Sequence, residues 1–542
     1  MDIRKVRSML LLLLISSSVA AVAPVMAIEG AVESGANKTN VLPGSTNDDG
    51  SWGGWFENLF SDGLYGTLSA LNSIGLLRPV VSPVVSIVGS QTTLLGPPTP
   101  ELLGEVTNRA INMFDVELAD GEKRKNWEQL DKEFKEKIFI GPNHSATKIS
   151  SPAFKQELES LGQACFVKGN TAKLLVDGPE SFKRRYELID SAKKQIYIMA
   201  WAIDNDETGK KYAAHLAAAA RKGVEVKVML DGNVFTRNKH LETIEMMKAS
   251  GVQFIPWKSP VHGAYGMHSK LMVVDGKSFI TGGMNMGNCY SHAYEAVPDW
   301  RNWVDPNHYG CWRDTDVEIA GPAASLAIDA FAKLWNGQKP TEEAKVTTER
   351  CEDNGTCDVA MISHLPGPKG DNNILGMYLK AIYGAEKQID IENAYYVTMK
   401  PIQEALIDAV KRGVKVRLFT NSDKSADEAM VAAPIIASLP PLIDAGVEVY
   451  LRKGTTMHSK FMIIDDEFTT IGSYNLNPRS EHIDTELNAV VFDKNFAENT
   501  RKVFDIDISP EKATKITKVE ELPQDIFSFS SRFAARHFYE HL

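Results

Sequence analysis

Residues 267–275 and 457–465 are written on one template. The first reads Met267, His268, Ser269, Lys270, then an apolar run to Asp275, with Gly282, Gly283 and Asn285 beyond it. The second reads Met457, His458, Ser459, Lys460, an apolar run to Asp465, and then Gly472, Ser473 and Asn475. Upstream, residues 192–200 align with 385–393, and 220–228 with 410–418. Gly223 precedes His268 by 45 residues, and Gly413 precedes His458 by the same 45. Register kept over that length marks duplication of a whole structural unit, so the chain must fold as two copies of one design.

Within each copy the pattern predicts helix, strand, helix, a glycine suited to end that helix, strand, helix, strand, and then the strand bearing the histidine and lysine. Helices alternating with β-branched runs predict an α/β fold. Its two units would each be a mixed, largely parallel sheet flanked by helices, related by a pseudo-twofold axis. Asp275-Gly276 and Asp465-Asp466 read as tight turns into the next strand. Side chains alternate faces along a strand, so His268 shares a face with Lys270, and His458 with Lys460.

Two histidines and two lysines that converge suit one kind of substrate. A phosphodiester is anionic and resists attack; cleaving it takes a nucleophile, a proton donor for the leaving oxygen and fixed positive charge on the phosphoryl oxygens. One neutral histidine can attack phosphorus while the other protonates the leaving alcohol and then deprotonates the incoming nucleophile. The lysines supply compact positive donors. Zinc and calcium sites need several Cys, His or carboxylate ligands that this constellation lacks, so neither a metal nor any other cofactor is expected.

The duplicated His-x-Lys-x4-Asp-x6-Gly-[Gly/Ser]-x-Asn pattern resembles the signature of the phospholipase D superfamily, whose two-copy members include phospholipases D and bacterial cardiolipin synthases. The resemblance covers roughly residues 165–510. It implies a shared site on the pseudo-twofold axis, with His268 as nucleophile and His458 as general acid. Lys270 and Lys460 would bind phosphate with Asn285, Asn475, Gly283 and Ser473, and the motif aspartates Asp275 and Asp465 look more structural than chemical. A nucleophilic histidine also needs a carboxylate to fix its tautomer. Glu486 resembles the family's carboxylate after the second copy. Aligning the halves pairs it with Asp314, with Asp316 as the alternative. Asn421, Asp423 and Asp427 resemble polar loop residues of the cardiolipin-synthase type.

Composition narrows the setting. A formal net charge of −11 argues against nucleic acid as the main partner, since that binding draws on clustered lysine and arginine. Arg4, Lys5 and Arg7 ahead of a leucine-rich run ending at Ala27 predict a cleavable signal peptide over residues 1–27 and a secreted or periplasmic protein. Export makes Cys351 with Cys357, and Cys289 with Cys311, candidate disulfides, with Cys165 left over. Residues 28–98 read as a disordered and then apolar segment. In it Trp52, Trp55, Phe56, Leu59 and Phe60 are spaced as on a helix, to pack on the catalytic body or to touch a membrane interface. A helical region over 99–160, a first unit over 161–335, a linker over 336–372 and a second unit with tail over 373–542 complete the expected division.

The halves differ between Gly287 and Trp312, where Cys289, Tyr290, Trp300, Trp303, Tyr309 and Trp312 form an aromatic insertion. It can line an acyl or head-group pocket or form a local mini-core. The expected function is an exported phospholipase D that hydrolyses glycerophospholipid head groups at a membrane surface through a phosphohistidine. The alternative is a cardiolipin-synthase-like phosphatidyltransferase, which passes the same intermediate to an alcohol. A nuclease and a non-catalytic lipid-binding protein stand behind both. No protein partner is readable.

Overall fold

The computed structural model describes residues 125–232, 242–259, 265–293, 311–338, 355–367, 370–427 and 429–523. The expected signal peptide, the apolar region at 52–88, Trp300, Trp303, Tyr309, Cys351 and the chain beyond 523 lie outside the described residues. Among the described residues no helix is long and apolar enough to cross a membrane.

The first unit contributes strands β1 (Val167–Val176), β2 (Gln195–Ala200), β3 (Glu225–Asp231), β4 (Gln253–Trp257), β5 (Gly266–Met267), β6 (Leu271–Val274), β7 (Ser278–Gly282) and β8 (Thr315–Ala320). The second contributes β9 (Cys357–His364), β10 (Gln388–Asn393), β11 (Lys415–Thr420), β12 (Glu448–Arg452), β13 (Lys460–Ile464), β14 (Phe468–Gly472), β15 (Asp484–Phe492) and β16 (Ala513–Ile516). They form one sheet in the order β16-β12-β11-β10-β13-β14-β15-β9-β1-β8-β7-β6-β2-β3-β4, with β5 attached to β15 alone. Read outward from the β9–β1 seam, the two halves of that order match strand for strand as far as β12 and β4, with β16 an extra edge strand on the second half, which is the pseudo-twofold expected from the duplication.

The sheet is mixed, with β2-β3-β4 and β10-β11-β12 parallel and the rest of the path antiparallel. The parallel ladders are built by helical crossovers, of which Glu207–Arg221 and Lys400–Lys411 are the matched pair, each followed by a left-handed glycine, Gly223 at φ 89° and Gly413 at φ 86°. The strands β6 and β13 that follow the histidines instead fold back through short turns at Asp275 and Asp465. Such turns can join only antiparallel neighbours.

One boundary differs from the sequence reading. Residues 357–364, expected within a linker, are a central strand that pairs with β15 over seven residues. The helices Trp127–Ile138 and Ala153–Gly162, inside the expected helical region, pack on the second unit. Phe134 and Phe154 lie against Gly376 and Gly384, where a Cβ would come within 2.6 Å of each ring. A core layer shared by both units joins them: Phe279, Val317, Phe331 and Trp335 of the first are buried with Phe461, Leu487 and Phe504 of the second. Burying such side chains contributes about 1.5–3 kcal/mol each, so the two units stand together as one body.

Candidate active site

The segments leading into the two histidines cross between units. Strand β5 runs parallel to β15, with Gly266 N donating to Ile483 O at 3.2 Å and His268 N to Thr485 O at 3.1 Å. In the other half Arg313 and Met457 form the matching parallel bridge, with His458 N donating to Arg313 O at 2.7 Å. Each histidine is thereby laid against the carboxylate strand of the opposite unit. His268 Nδ1 lies 2.9 and 3.0 Å from the two oxygens of Glu486, and His458 Nδ1 lies 2.8 Å from Asp314 Oδ2. With Nδ1–H given to a carboxylate, Nε2 is the nitrogen left for chemistry in both rings.

Lys270 and Lys460 are buried beside them. Lys270 Nζ donates to His268 O at 2.6 Å, and Lys460 donates to His458 O. Lys460 Nζ also lies 3.0 Å from His458 Nδ1. That nitrogen has one hydrogen, committed to Asp314, so the carbonyl is the lysine's true acceptor. Burial lowers both lysines, Lys270 to about 8 and Lys460 to about 7, although Glu486 and Asp314 pull the other way. Burial likewise raises Asp314 to about 6 and Glu486 to about 7, against the nearby lysines. Both histidines are held well below their ordinary value by burial and then by the lysine of their own motif. Asp484 works against that at His268, but the direction follows burial and the cations. Groups so balanced favour an added anion, which would restore charge to the lysines and histidines together.

The matched glycine and serine serve the carboxylates. A Cβ on Gly283 would sit 2.1 Å from Asp314 Oδ1, so the short carboxylate needs a bare backbone there. At the equivalent place Ser473 donates to Glu486, and Ser480 Oγ donates to its other oxygen at 2.6 Å. Asn285 and Asn475 are buried with their side-chain oxygens lacking a hydrogen-bond partner, while Asn285 Nδ2 donates to Tyr290 OH at 3.1 Å. An amide left half-satisfied in a buried site is costly unless a ligand completes it.

Three sequence expectations fall elsewhere. Asp275 and Asp465, which the motif groups with the catalytic candidates although they look structural, are not brought to the histidines. The first accepts from the backbone N–H of Lys193, Lys194 and Gln195, the second from Glu386, Lys387 and Gln388, so each pins the turn to the start of a neighbouring strand. Seven residues of extended chain, roughly 23 Å, separate each from its histidine. Asp316, the alternative to Asp314, turns instead to Arg185 at 2.9 Å and Ser181 at 2.5 Å. Cys289 and Cys311 form no disulfide with each other. Cys289 packs against the first unit's core, whereas the backbone at Cys311 is tied to the second unit through Thr455 Oγ1 at 2.9 Å. Cys357 is a buried free cysteine, and its expected partner Cys351 lies outside the described residues.

The insertion reaches across the axis. Tyr290 and Trp312 of the first unit stand 5.5 and 5.3 Å from the His458 ring, and Tyr395 of the second stands 5.8 Å away. Asp427 accepts from Tyr395 OH at 2.6 Å. Asn421 grips the peptide before His458, accepting from Met457 N at 3.0 Å and donating to Met457 O at 2.7 Å. Its counterpart, Asp231, accepts from Met267 N at 2.7 Å and was missed in the sequence. The signal was present: Asp231 lies eight residues after Gly223, as Asn421 does after Gly413.

A duplicated α/β body with two His-Lys strands meeting at its axis is the architecture of the phospholipase D superfamily, and this chain belongs to it. Residues 186–297 and 378–508 match the family described as cardiolipin synthase, PLD-like domain. Over 416 residues the chain is 27% identical to a cardiolipin synthase of Staphylococcus aureus, spanning 74% of this chain and 80% of that protein. Over 380 residues it is 28% identical to cardiolipin synthase A of Pseudomonas entomophila, spanning 69% and 75%. The phosphatidylserine synthase of Haemophilus influenzae superposes with a TM-score of 0.56 at 16% identity, over 72% of this chain and 100% of that one, a likeness of fold.

Proposed function

We propose that this protein is a phosphatidyltransferase of the cardiolipin-synthase type, acting on a glycerophospholipid at a membrane surface. The observation that carries it is the pair of crossed histidine–carboxylate contacts beside two buried lysines, in a chain whose relatives bear the cardiolipin synthase name. Those names move phosphatidyl transfer ahead of simple hydrolysis.

In the proposed cycle His268 attacks phosphorus through Nε2 while Glu486 holds its Nδ1–H. The N–P bond forms, the P–O bond to the leaving alcohol breaks, and His458 gives that oxygen its proton. His458, then neutral, takes the proton of an incoming alcohol, whose oxygen attacks phosphorus and releases His268. Lys270, Lys460 and the Nδ2 groups of Asn285 and Asn475 donate to the non-bridging oxygens, and the asparagine oxygens are left to accept from an alcohol hydroxyl. The protein groups alone keep the histidines neutral, as a nucleophile must be, and the substrate's negative charge favours protonation of the acid. Assignment of the two roles follows the family resemblance. Export through the leader at residues 1–27 is part of the proposal and is tested by sequencing the mature N-terminus.

The discriminating experiment is incubation of the pure protein with phosphatidylglycerol vesicles, with and without added glycerol. Cardiolipin with release of glycerol is the expected product. Phosphatidic acid as the main product would favour the hydrolase, and no lipid turnover alongside DNA cleavage would overturn both.

A further inference from the structure

Behind Glu486 stands a histidine that belongs to neither motif. His364 is the last residue of β9 and lies directly opposite Glu486 in the antiparallel ladder. Its side chain is fully buried, yet both ring nitrogens face oxygens that can only accept. Nε2 lies 2.9 Å from the carbonyl oxygen of Glu481, a hydrogen bond, and Nδ1 lies 3.3 Å from Asp371 Oδ1, an ion-pair distance without hydrogen-bond geometry. With Nε2–H given to Glu481 O, a neutral ring would turn the Nδ1 lone pair toward the Asp371 carboxylate, whereas an imidazolium sets its positive charge there. The Glu481 carboxylate is itself fixed, accepting from Tyr474 OH at 2.6 Å and from Asn372.

The charged groups around the ring are therefore Asp371 ahead of the helix Asn373–Gly384, Glu481 on the turn Pro478–His482 and Glu486 on β15. Lys333, on the helix Ala324–Gln338, lines a cavity with His364, Ser269 and Glu486. Lys270 faces Glu486 from the side of the site, so the two anions behind it, Asp371 and Glu481, leave a place for a positive charge on the ring. Burial opposes that charge, but Glu481, Asp371 and Glu486 outweigh it and carry His364 up to about 9.

The duplicated position makes the point sharper. Continuing the β1–β8 ladder by one residue puts Asp177 opposite Asp314, joined by Asp177 N to Asp314 O at 2.9 Å. There an anion backs the carboxylate, and Arg313 supplies the cation at 3.3 Å from Asp177. His364 is thus specific to the half that holds Glu486.

We infer that His364 is a positioning residue, an imidazolium anchored by Asp371 and Glu481 that keeps Glu486 ionised and so keeps His268 oriented and basic. This rests on the proposed role of His268 as nucleophile. Removing the cation lets Glu486 take a proton at higher pH, so the acid limb of turnover must move upward.

The test compares wild type, His364→Gln and Asp371→Asn on phosphatidylglycerol vesicles and on bis(p-nitrophenyl) phosphate across the pH range. Glutamine can still donate to Glu481 O. The expected result for His364→Gln is a rise of the acid limb by about half to one pH unit. That is a loss of kcat of roughly three- to tenfold near pH 6 that closes in alkaline buffer, with KM little changed. Asp371→Asn should shift the limb the same way, and the double variant no further than His364→Gln. An equal loss at every pH, or no loss, overturns the inference, and Asp371→Asn carries the test if His364→Gln does not fold. Imidazole 15N titration of the wild type decides the charge without reference to turnover. His364 should remain protonated at neutral pH, and titration below about pH 7 would overturn the inference. Failure of the wild type to cleave either phosphodiester would instead refute the functional reading.

Discussion

His268 and His458 each rest on a carboxylate of the opposite unit, at 2.9 and 2.8 Å, and there the likeness stops. Glu486 receives two serine hydroxyls and has His364 behind it. Asp314 takes the amide of Thr315 at 2.7 Å, and Arg313 beside it is clamped on Asp507 by contacts of 2.6 and 2.9 Å. His458 is ringed by three aromatic side chains, of which two come from the insertion unique to the first copy. Duplication preserved the geometry of the site and let its surroundings diverge, which would let two identical residue types take the different parts that the proposed cycle gives them.

Exchanging the halves by mutation tests that difference. The largest effect expected is loss of lipid turnover by about 10⁴-fold in both His268→Ala and His458→Ala, with melting temperature close to wild type. On bis(p-nitrophenyl) phosphate, whose leaving group needs no proton, His458→Ala should still accumulate an acid-labile phosphohistidine, while His268→Ala should not. The reverse pattern would swap the roles.

Next in size is a stability difference. Arg313→Met leaves Asp507 buried without its main partner and should cost about 3–5 kcal/mol in denaturant titration. Ser480→Ala, at the other carboxylate, removes one neutral donor and should cost about 1–2 kcal/mol at most. Equal losses would mean that the two supports are equivalent.

A smaller, kinetic contrast lies at the matched glycine and serine. Gly283→Ala drives a methyl into Asp314 and should lower kcat by about 10- to 100-fold, whereas Ser473→Gly, which removes a hydroxyl without a clash, should lower it by about tenfold or less. The smallest expected signal is proton uptake on binding inorganic phosphate near pH 8. With both lysines lowered, to about 8 and about 7, the anion raises them and each gains a fraction of a proton as it binds. Calorimetry in two buffers of different ionisation enthalpy measures the uptake, and its absence would remove the lysines from the phosphate site.

Much of the fold was legible because duplication writes itself as repeated spacing. The helix-ending glycines, the turn aspartates and the alternating runs all recur in register. What escaped was long-range pairing. The strand Cys357–His364 sits in a stretch rich in turn and charged residues, and its neighbours in the sheet, β1 and β15, are more than 100 residues away in either direction. Asp275 and Asp465 share the motif with the histidines yet serve the turns at the far ends of their strands.

The residue types, their spacing and the two-copy plan are properties of the sequence alone, since local periodicity and repeated register need no knowledge of contacts. Which carboxylate serves which histidine is not. Glu486 meets His268 across 218 residues and Asp314 meets His458 across 144, because β5 and the Arg313–Met457 bridge carry each motif over the axis. Chain order cannot encode that exchange. It is settled by backbone hydrogen bonds between units and by a shared apolar layer that forms only when both units are folded together.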